Sequence, residues 1–168
     1  NQLDVSWTID DISCPAGNDG QIMAQGIGGT SPYSYAWSSI TGSNYTLDPA
    51  SPEVITDVFE GTFTVTIVDS NACNESFDYT LTAPPILTFN ETVVDVLCFN
   101  ENTGSIDPGV MGGTPPYSYS WTGGLTTPTI SSLSAGFYTL QVNDVNNCFA
   151  TTGGVETFQV LDLSNGPI

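Results

Sequence analysis

The chain has 168 residues and carries 18 Asp and Glu side chains but no Lys, Arg or His, so its formal net charge is −18 at neutral pH. Binding to nucleic acid or to an anionic membrane surface draws on basic side chains, and the composition therefore argues against both partners. No segment approaches the roughly 18 apolar residues of a membrane span, so direct membrane insertion is not expected. The absence of an initiator Met and of a leader predicts a piece of a longer protein.

One ten-residue segment occurs twice and indicates an internal repeat. GGTSPYSYAW at 28–37 returns as GGTPPYSYSW at 112–121, an offset of 84 positions. Such a period predicts two copies of one structural unit. We therefore expect two domains, residues 1–83 and 84–168, joined by a semi-rigid Ala-Pro-Pro linker at 83–85.

The two copies differ in length at one place. Cys98 follows Cys14 by the same 84 positions, but Cys148 follows Cys73 by only 75, because the first copy has nine extra residues within 42–52. This insertion is the segment that most distinguishes the first copy from the second.

Apolar segments in both copies are strand-like, with β-branched and aromatic residues in period-two alternation and turn residues between them. No window shows the 3.6-residue period of an amphipathic helix. In chain order, the predicted strands of the first copy are 3–9, 21–27, 33–37, 54–56, 62–68 and 76–82. Those of the second copy are 87–93, 105–110, 117–121, 128–130, 137–142 and 156–161. The pattern predicts an all-β protein with two sandwiches of six to seven antiparallel strands.

Four cysteines allow three pairings. We predict one disulfide inside each repeat, Cys14–Cys73 and Cys98–Cys148, because a repeat unit is expected to close its own bridge. Strand counting favours the same pairing: four strands are predicted between the two cysteines, and an even number of antiparallel strands returns the chain to the same end. Disulfide-linked small domains are typical of an oxidising compartment.

Tyr33, Tyr35 and Trp37 alternate along one predicted strand, so their side chains project to one face. An exposed row of aromatic rings could stack on sugars, whereas a buried row would form a core strand. Its recurrence in each copy favours the core interpretation. The equivalent residues of the second copy are Tyr117, Tyr119 and Trp121.

The segments 69–73 (DSNAC) and 144–148 (DVNNC) are typical of hairpin turns, where Asp and Asn make local hydrogen bonds. Tyr138, just after Gly136, can donate its hydroxyl to the upstream backbone as in a tyrosine corner, whereas its counterpart Phe63 cannot.

No cofactor is expected, and calcium is the one metal considered. An intra-repeat disulfide would bring Asp11 toward Asp69 and Asp95 toward Asp144. Calcium takes six to eight oxygen ligands, so two carboxylates and neighbouring amides make a weak candidate.

The residue inventory argues against an enzyme. The chain has no His for general-base catalysis, no Lys for a Schiff base and no Arg to hold an anion. Paired carboxylates could serve a glycosidase, but no spacing singles out such a pair. Asn44, Asn74 and Asn90 fit the N-glycosylation pattern, which is little above background in so Asn-, Ser- and Thr-rich a chain.

Together, the two GGT-PYSY-W segments, LSAGFYTLQVND at 133–144 and the two Cys-containing turns resemble the SprB-type repeat of large surface adhesins from gliding bacteria. That repeat typically reads as a Cys, an NxG-like turn, a GGTPPYxYxW strand, an LxAGxYxVxVxD strand and a Cys-containing turn. The first copy departs from it by the insertion and by Phe63, and both final turns lack the usual Asn-Gly. The resemblance covers nearly the whole chain and implies an immunoglobulin-like sandwich, secretion to the cell surface and no catalytic residues.

Two functions follow as expectations. The first is a structural or adhesive segment of a secreted bacterial surface protein or extracellular filament, in which rigid repeats act as a stalk or fibre. Its partners would be neighbouring repeats of the same chain or like subunits. The alternative is a module that binds surface polysaccharide or another ligand through exposed aromatic residues or the 42–52 loop.

Overall fold

The computed structural model describes residues 2–98, 100–150 and 154–164, and every regular element in these ranges is a β-strand. The chain divides into two compact units, Asn1–Pro84 and Pro85–Ile168. Within the described residues, no helix has the length and apolar character needed to cross a membrane.

The first unit is a sandwich of two antiparallel sheets. Its strands are β1 (Asp4–Asp10), β2 (Gly20–Ile27), β3 (Ser34–Ser39), β4 (Thr46–Leu47), β5 (Val54–Val58), β6 (Gly61–Val68) and β7 (Asn74–Leu81). One sheet has the order β1-β2-β5-β4 and the other the order β3-β6-β7. The two-residue strand β4 lies inside the insertion and was not predicted.

The second unit repeats this arrangement with shorter pieces. Its strands are β8 (Thr88–Phe89), β9 (Thr92–Val94), β10 (Gly104–Asp107), β11 (Val110–Met111), β12 (Ser118–Trp121), β13 (Ile130–Leu133), β14 (Gly136–Asn143) and β15 (Val155–Val160). β9-β10-β13 and β8-β11 form one face, and β12-β14-β15 form the other. Two predicted strands are each split in two where Asn90 N–H donates to Pro108 O and Gly109 O. All twelve predicted strands overlap observed strands, and the all-β prediction is confirmed.

Buried and more exposed side chains alternate along the strands, and the buried ones form the core of each sandwich. In β6, Phe63, Val65 and Ile67 are fully buried, and they pack toward Ile22 and Ala24 of the facing sheet. Full burial of one such large side chain contributes roughly 1.5–3 kcal/mol. The second unit has its own core, formed by Leu87, Val96, Ile106, Trp121, Ile130, Leu133, Leu140, Val142, Ala150, Phe158 and Val160.

Each sandwich has two distinct ends. At the first, which we call the Asp end, Thr30 N–H donates to Asp69 Oδ2 at 3.0 Å, and in the second unit Thr114 N–H donates to Asp144 Oδ2 at 2.9 Å. At the opposite end of the first unit, Gly20 pairs with Val58 and contacts Leu81; Gly104, Leu133 and Val160 take these places in the second unit.

The prediction of one disulfide inside each repeat is wrong. Cys14 and Cys148 are disulfide-bonded, but their predicted partners, Cys73 and Cys98, are free, exposed thiols. Cys14 follows β1 at the opposite end of the first sandwich, whereas Cys73 follows β6 at the Asp end. A strand of seven residues spans roughly 20 Å, and the Cα atoms of a disulfide lie within about 7 Å of each other. Cys14 therefore cannot reach Cys73, and the same placement separates Cys98 from Cys148.

The strand count failed because consecutive strands do not always reverse direction. β12 runs from the Asp end, where Ser118 pairs with Asn143, and β13 also runs away from that end, since its last residue, Leu133, pairs with Gly104. Residues 122–129 carry the chain back between them without forming a strand. β3 and β5 likewise run in the same direction in the first unit.

Candidate functional site

The aromatic row of the first repeat lies along β3, at the edge of its sheet. Tyr33, Tyr35 and Trp37 are half-buried and pack against the core that includes Val65 and Ile67. They lie on one face, as the alternation predicted, but that face is turned toward the core rather than left fully open.

The polar atoms of this row are engaged within the protein. Tyr33 Oη donates to Gly28 O, and Trp37 Nε1 donates to Pro52 O at 3.0 Å. Tyr35 Oη accepts a hydrogen bond from Gly26 N–H at 3.2 Å. These bonds fix the ring orientations and leave ring surface, rather than polar groups, for any ligand.

In the second repeat the row is packed more deeply at its tryptophan. Trp121 is only 3% exposed, and its Nε1 donates to Thr127 O at 2.9 Å. The ring centroids of Trp121 and Phe158 lie 5.7 Å apart. Tyr117 Oη donates to Gly112 O at 2.6 Å, and Tyr119 is half-buried. Trp121 is thus closed to a sugar ring.

The insertion of the first repeat forms one wall of an open groove. Tyr45, within the insertion, donates its hydroxyl to Trp37 O at 3.0 Å and packs edge-on against Phe63. The insertion is therefore anchored on β3 and on the core. The groove has a volume of about 440 Å³ and is lined by Tyr35, Ala36, Trp37, Leu47, Asp48, Pro49 and Pro52.

Two groups in the groove are available to a ligand. Leu47 is 52% exposed, so its apolar side chain is accessible from the groove. Asp48 Oδ1 accepts a hydrogen bond from Ala50 N–H at 2.8 Å, which shapes the loop, and its half-buried side chain lines the groove. Apolar and aromatic surface with a few polar groups is the usual composition of a small-ligand site.

The carboxylates considered for calcium are not brought together. Asp69 lies at the Asp end and Asp11 follows β1 at the opposite end. Asp95 accepts from Leu161 N–H at 2.8 Å, also away from Asp144. Among the described residues, no group of three or more potential metal ligands forms.

Asp69 and Asp144 instead organise the turns, in a role that the sequence only partly indicated. Asp69 Oδ1 accepts from Asn71 N–H and Cys73 N–H, both at 2.9 Å, which confirms the local hydrogen bonding predicted for these turns. Its second oxygen reaches Thr30 after the Gly-Gly turn, a contact the sequence did not reveal. The fixed succession of a Gly-Gly-Thr turn and a later Asp-x-Asn-x-Cys turn in both copies is the signal that could have shown it.

The three candidate glycosylation residues, Asn44, Asn74 and Asn90, are all exposed.

The fold defines the chain as a tandem of two antiparallel β-sandwiches. The chain contains two SprB repeats: the family model described as "SprB repeat" matches residues 6–42 and 90–126. The resemblance noted in the sequence is thereby confirmed. The comparison with family models finds no enzymatic family, and the disulfide is consistent with an extracytoplasmic location.

One of the similar solved structures supports the fold. The three N-terminal domains of the highly immunogenic outer capsid protein (Hoc) of bacteriophage RB49 are similar at 17% identity with a TM-score of 0.56, over 95% of this chain and 58% of that one. A C-terminal fragment of intimin, in complex with the intimin-binding domain of its translocated receptor, gives 13% identity and a TM-score of 0.42, over 95% of this chain and 64% of that one. The chain thus spans just over half the length of the phage structure. No curated protein sequence matches the chain.

Proposed function

We propose that the chain is a non-enzymatic structural or adhesive segment of a secreted bacterial cell-surface protein or extracellular filament, in which the two repeats act as part of a stalk or fibre. The observation that carries this proposal is the pair of SprB repeats, each with a core of its own. A surface without cationic side chains supports it, because like-charged segments stay apart in solution.

Surface labelling of intact cells tests this proposal. An antibody raised against the 168-residue chain should bind cells that express the parent protein before they are permeabilised, and protease treatment of intact cells should remove the signal. An antibody against a cytoplasmic protein is the control and should bind only after permeabilisation. If the repeat antibody behaves like this control, the proposal is wrong.

A spacer role and an adhesive role can be separated by replacement. If the repeats only space other parts of the protein, exchanging both of them for two unrelated immunoglobulin-like domains should preserve adhesion, whereas deleting them should reduce it. Loss of adhesion after the exchange would assign the adhesive contact to the repeats themselves.

A second candidate function is ligand binding in the groove beside the insertion. Its support is specific: the groove joins ring surface from Tyr35 and Trp37 to the exposed Leu47, and the insertion that forms it occurs in the first copy only. Sugar rings stacked on aromatic side chains suit such a surface, so a surface polysaccharide is the proposed ligand class.

Tryptophan fluorescence with purified bacterial polysaccharides tests the groove. Leu47→Ala combined with Asp48→Asn should weaken binding about tenfold, equivalent to about 1.4 kcal/mol. Leu125→Ala is the matched control, since Leu125 is also an exposed leucine of a long loop, but in the second repeat. Equal affinity of the double variant and the wild type would exclude the groove as the binding site.

A further inference from the structure

A second groove of the first repeat lies beside the one that the insertion forms. It has a volume of about 260 Å³ and is lined by Met23, Gln25, Gly26, Tyr33, Tyr35 and Glu53. Tyr35 also lines the first groove, and so does Pro52, which directly precedes Glu53. The two grooves therefore adjoin each other along the aromatic row, where the Cα atoms of Tyr33 and Trp37 are roughly 13 Å apart.

The two tyrosine rings of the second groove are held in place by the protein. Tyr33 Oη donates to Gly28 O, and Tyr35 Oη accepts a hydrogen bond from Gly26 N–H at 3.2 Å. A Cβ on Gly26 would lie 3.1 Å from Cγ of Tyr33, so this ring packs closely against the backbone of β2. Rings fixed in this way lose little further conformational entropy when a ligand stacks on them.

Glu53 brings an unpaired carboxylate to these rings. Its side chain is half-buried, and none of the described residues donates a hydrogen bond to its carboxylate oxygens. The chain has no Lys, Arg or His, so it contains no side chain that could form an ion pair with Glu53. A carboxylate that is partly removed from water and has no partner in the protein favours a cationic ligand.

An ammonium group matches this combination of two tyrosine rings and a carboxylate. The face of an aromatic ring attracts a cation that lies within about 6 Å of the ring centroid. A hydrogen bond between an ammonium group and a carboxylate is also stronger than one between neutral groups. An anionic ligand would be repelled by Glu53 and, in the adjoining groove, by Asp48.

The adjoining groove favours a saccharide over a basic peptide as the carrier of the ammonium group. An extended peptide would bind by pairing with the free edge of β3. The insertion already covers part of this strand, because Tyr45 donates its hydroxyl to Trp37 O at 3.0 Å. Sugar rings need no backbone pairing and can lie against the rings of Tyr35 and Trp37.

We propose that the ligand of the two grooves is a polysaccharide with unacylated amino groups, and that Glu53 binds one ammonium group beside Tyr33 and Tyr35. This inference rests on the second candidate function, polysaccharide binding beside the insertion, and deepens it by naming the class of sugar. The neighbouring sugar units lie along Tyr35 and Trp37. Acylation of the amine removes its charge and, with it, the attraction to Glu53.

Calorimetric titration with two oligosaccharides of the same length tests the proposal. Chitosan oligosaccharides have free amines, whereas those of chitin oligosaccharides are acetylated. A mildly acidic buffer keeps both the amines and the carboxylates charged. Wild-type protein should bind the chitosan oligosaccharide about tenfold more tightly, and NaCl should reduce this difference. Glu53→Gln, which keeps the size of the side chain, should bind both oligosaccharides with the affinity of the wild type for the acetylated one.

Glu75→Gln is the matched control, because Glu75 is an exposed glutamate of β7 that lines neither groove. It removes the same charge and should retain the tenfold preference, and circular dichroism confirms that both variants are folded. An equal loss of preference in the two variants would indicate nonspecific attraction to the acidic surface and overturn the proposal. Oligolysine that binds more tightly than the chitosan oligosaccharide, in a manner that depends on Glu53, would assign the site to a basic peptide and overturn it as well.

Failure of this inference is distinguishable from failure of the groove function. If both oligosaccharides bind equally and Leu47→Ala with Asp48→Asn weakens both, the groove binds saccharides without selecting amines, and only the inference is wrong. A preference that persists in Glu53→Gln would also overturn the inference alone. If neither oligosaccharide binds to the wild type, the groove function and the inference are both wrong.

Discussion

Asp69 is 7% exposed in a chain without a single cationic side chain, so hydrogen bonds rather than an ion pair must balance its charge. Burial raises the pKa of this carboxyl group, but hydrogen bonds from the backbone of Cys73, Thr30 and Asn71 outweigh burial and hold the pKa below its ordinary value. The same carboxylate joins the Gly-Gly turn to the β6–β7 turn. Hydrogen bonds from backbone N–H groups to Asp69 thus take the place of the ion pairs that this composition does not allow.

Asp69→Asn should lower the free energy of unfolding by about 1–3 kcal/mol at pH 7, because the new amide NH₂ would face the N–H of Thr30 or leave one of the bonded N–H groups without an acceptor. Urea unfolding measures the difference. Asp10→Asn, which removes the same charge from an exposed position, is the control and should change stability by less than about 0.5 kcal/mol. Equal effects of the two variants would contradict the assigned role.

The difference between wild type and Asp69→Asn should depend on pH. Because the folded-state pKa of Asp69 is lowered, its charged form stabilises the fold fully above the unfolded pKa of about 3.9. That contribution is lost as the pH falls through the lower folded-state value. Urea unfolding at several pH values should therefore show the two proteins converging in acid, and a constant difference down to pH 2 would argue against the mechanism.

Gly112 shows why the Gly-Gly turn needs glycine. Its φ is +75°, and a Cβ there would lie 2.1 Å from Ile86 O. Gly112→Ala should therefore cost about 3 kcal/mol or more, measured by thermal unfolding. Gly123 also has a positive φ, +87°, but a Cβ there meets nothing within 4 Å, so Gly123→Ala should cost only about 1–2 kcal/mol. If the two costs are equal, the close approach to Ile86 is not what requires glycine at position 112.

At the scale of elements, the equivalent strands β6 and β14, which begin at Gly61 and Gly136, are held differently in the two repeats. In the second, Tyr138 Oη donates to Ser134 O at 2.9 Å, which confirms the tyrosine corner predicted there. In the first, Phe63 is fully buried against Tyr45 of the insertion, and Ser43 Oγ donates to Glu60 O at 2.6 Å. The insertion therefore supplies polar contacts near the corner where Phe63 has no hydroxyl.

Removal of the Tyr138 hydroxyl tests this corner. Tyr138→Phe should destabilise the second repeat by about 1 kcal/mol, because Ser134 O loses a hydrogen bond. Tyr119→Phe in the same repeat is the matched control and should change stability by less than about 0.5 kcal/mol. Amide hydrogen exchange of β14 reports the local effect, and unchanged protection in Tyr138→Phe would show that the corner does not hold the strand.

At the scale of the whole molecule, the net charge of −18 is unopposed by any cationic side chain. Repulsion among these carboxylates weakens the compact state, and dissolved salt screens it. Stability must therefore come from buried apolar side chains, hydrogen bonds and the disulfide. The stability of the folded state should therefore depend on ionic strength.

Raising NaCl from about 10 mM to about 300 mM should raise the melting temperature, because the Debye length falls from about 30 Å to about 6 Å. Calorimetry measures the shift. MgCl₂ and CaCl₂ at matched ionic strength are the controls and should act alike. A melting temperature that does not change with NaCl would contradict destabilising repulsion among the carboxylates. A rise in melting temperature with CaCl₂ but not with MgCl₂ would reveal a specific calcium site.

The sequence by itself determined the internal repeat, the position of every long β-strand and the family of the repeats. Each of these features depends on a pattern of neighbouring residues. The alternation in 62–68, the Gly-Gly turns and the recurrence of PYSY are readable without knowing what each strand packs against. The Tyr138 corner was also predictable, since a tyrosine at that place has a backbone acceptor four residues earlier.

Only the tertiary structure decided which cysteines are bonded and which end of the sandwich each occupies. The direction of a strand depends on the connection that precedes it. Residues 122–129 lead the chain back along the sandwich, but their sequence has no strand pattern from which this return could be predicted. The reach of Asp69 to Thr30 and the groove beside Leu47 arise in the same way. Each joins segments distant in sequence, whose meeting depends on sheet pairing rather than on any local pattern.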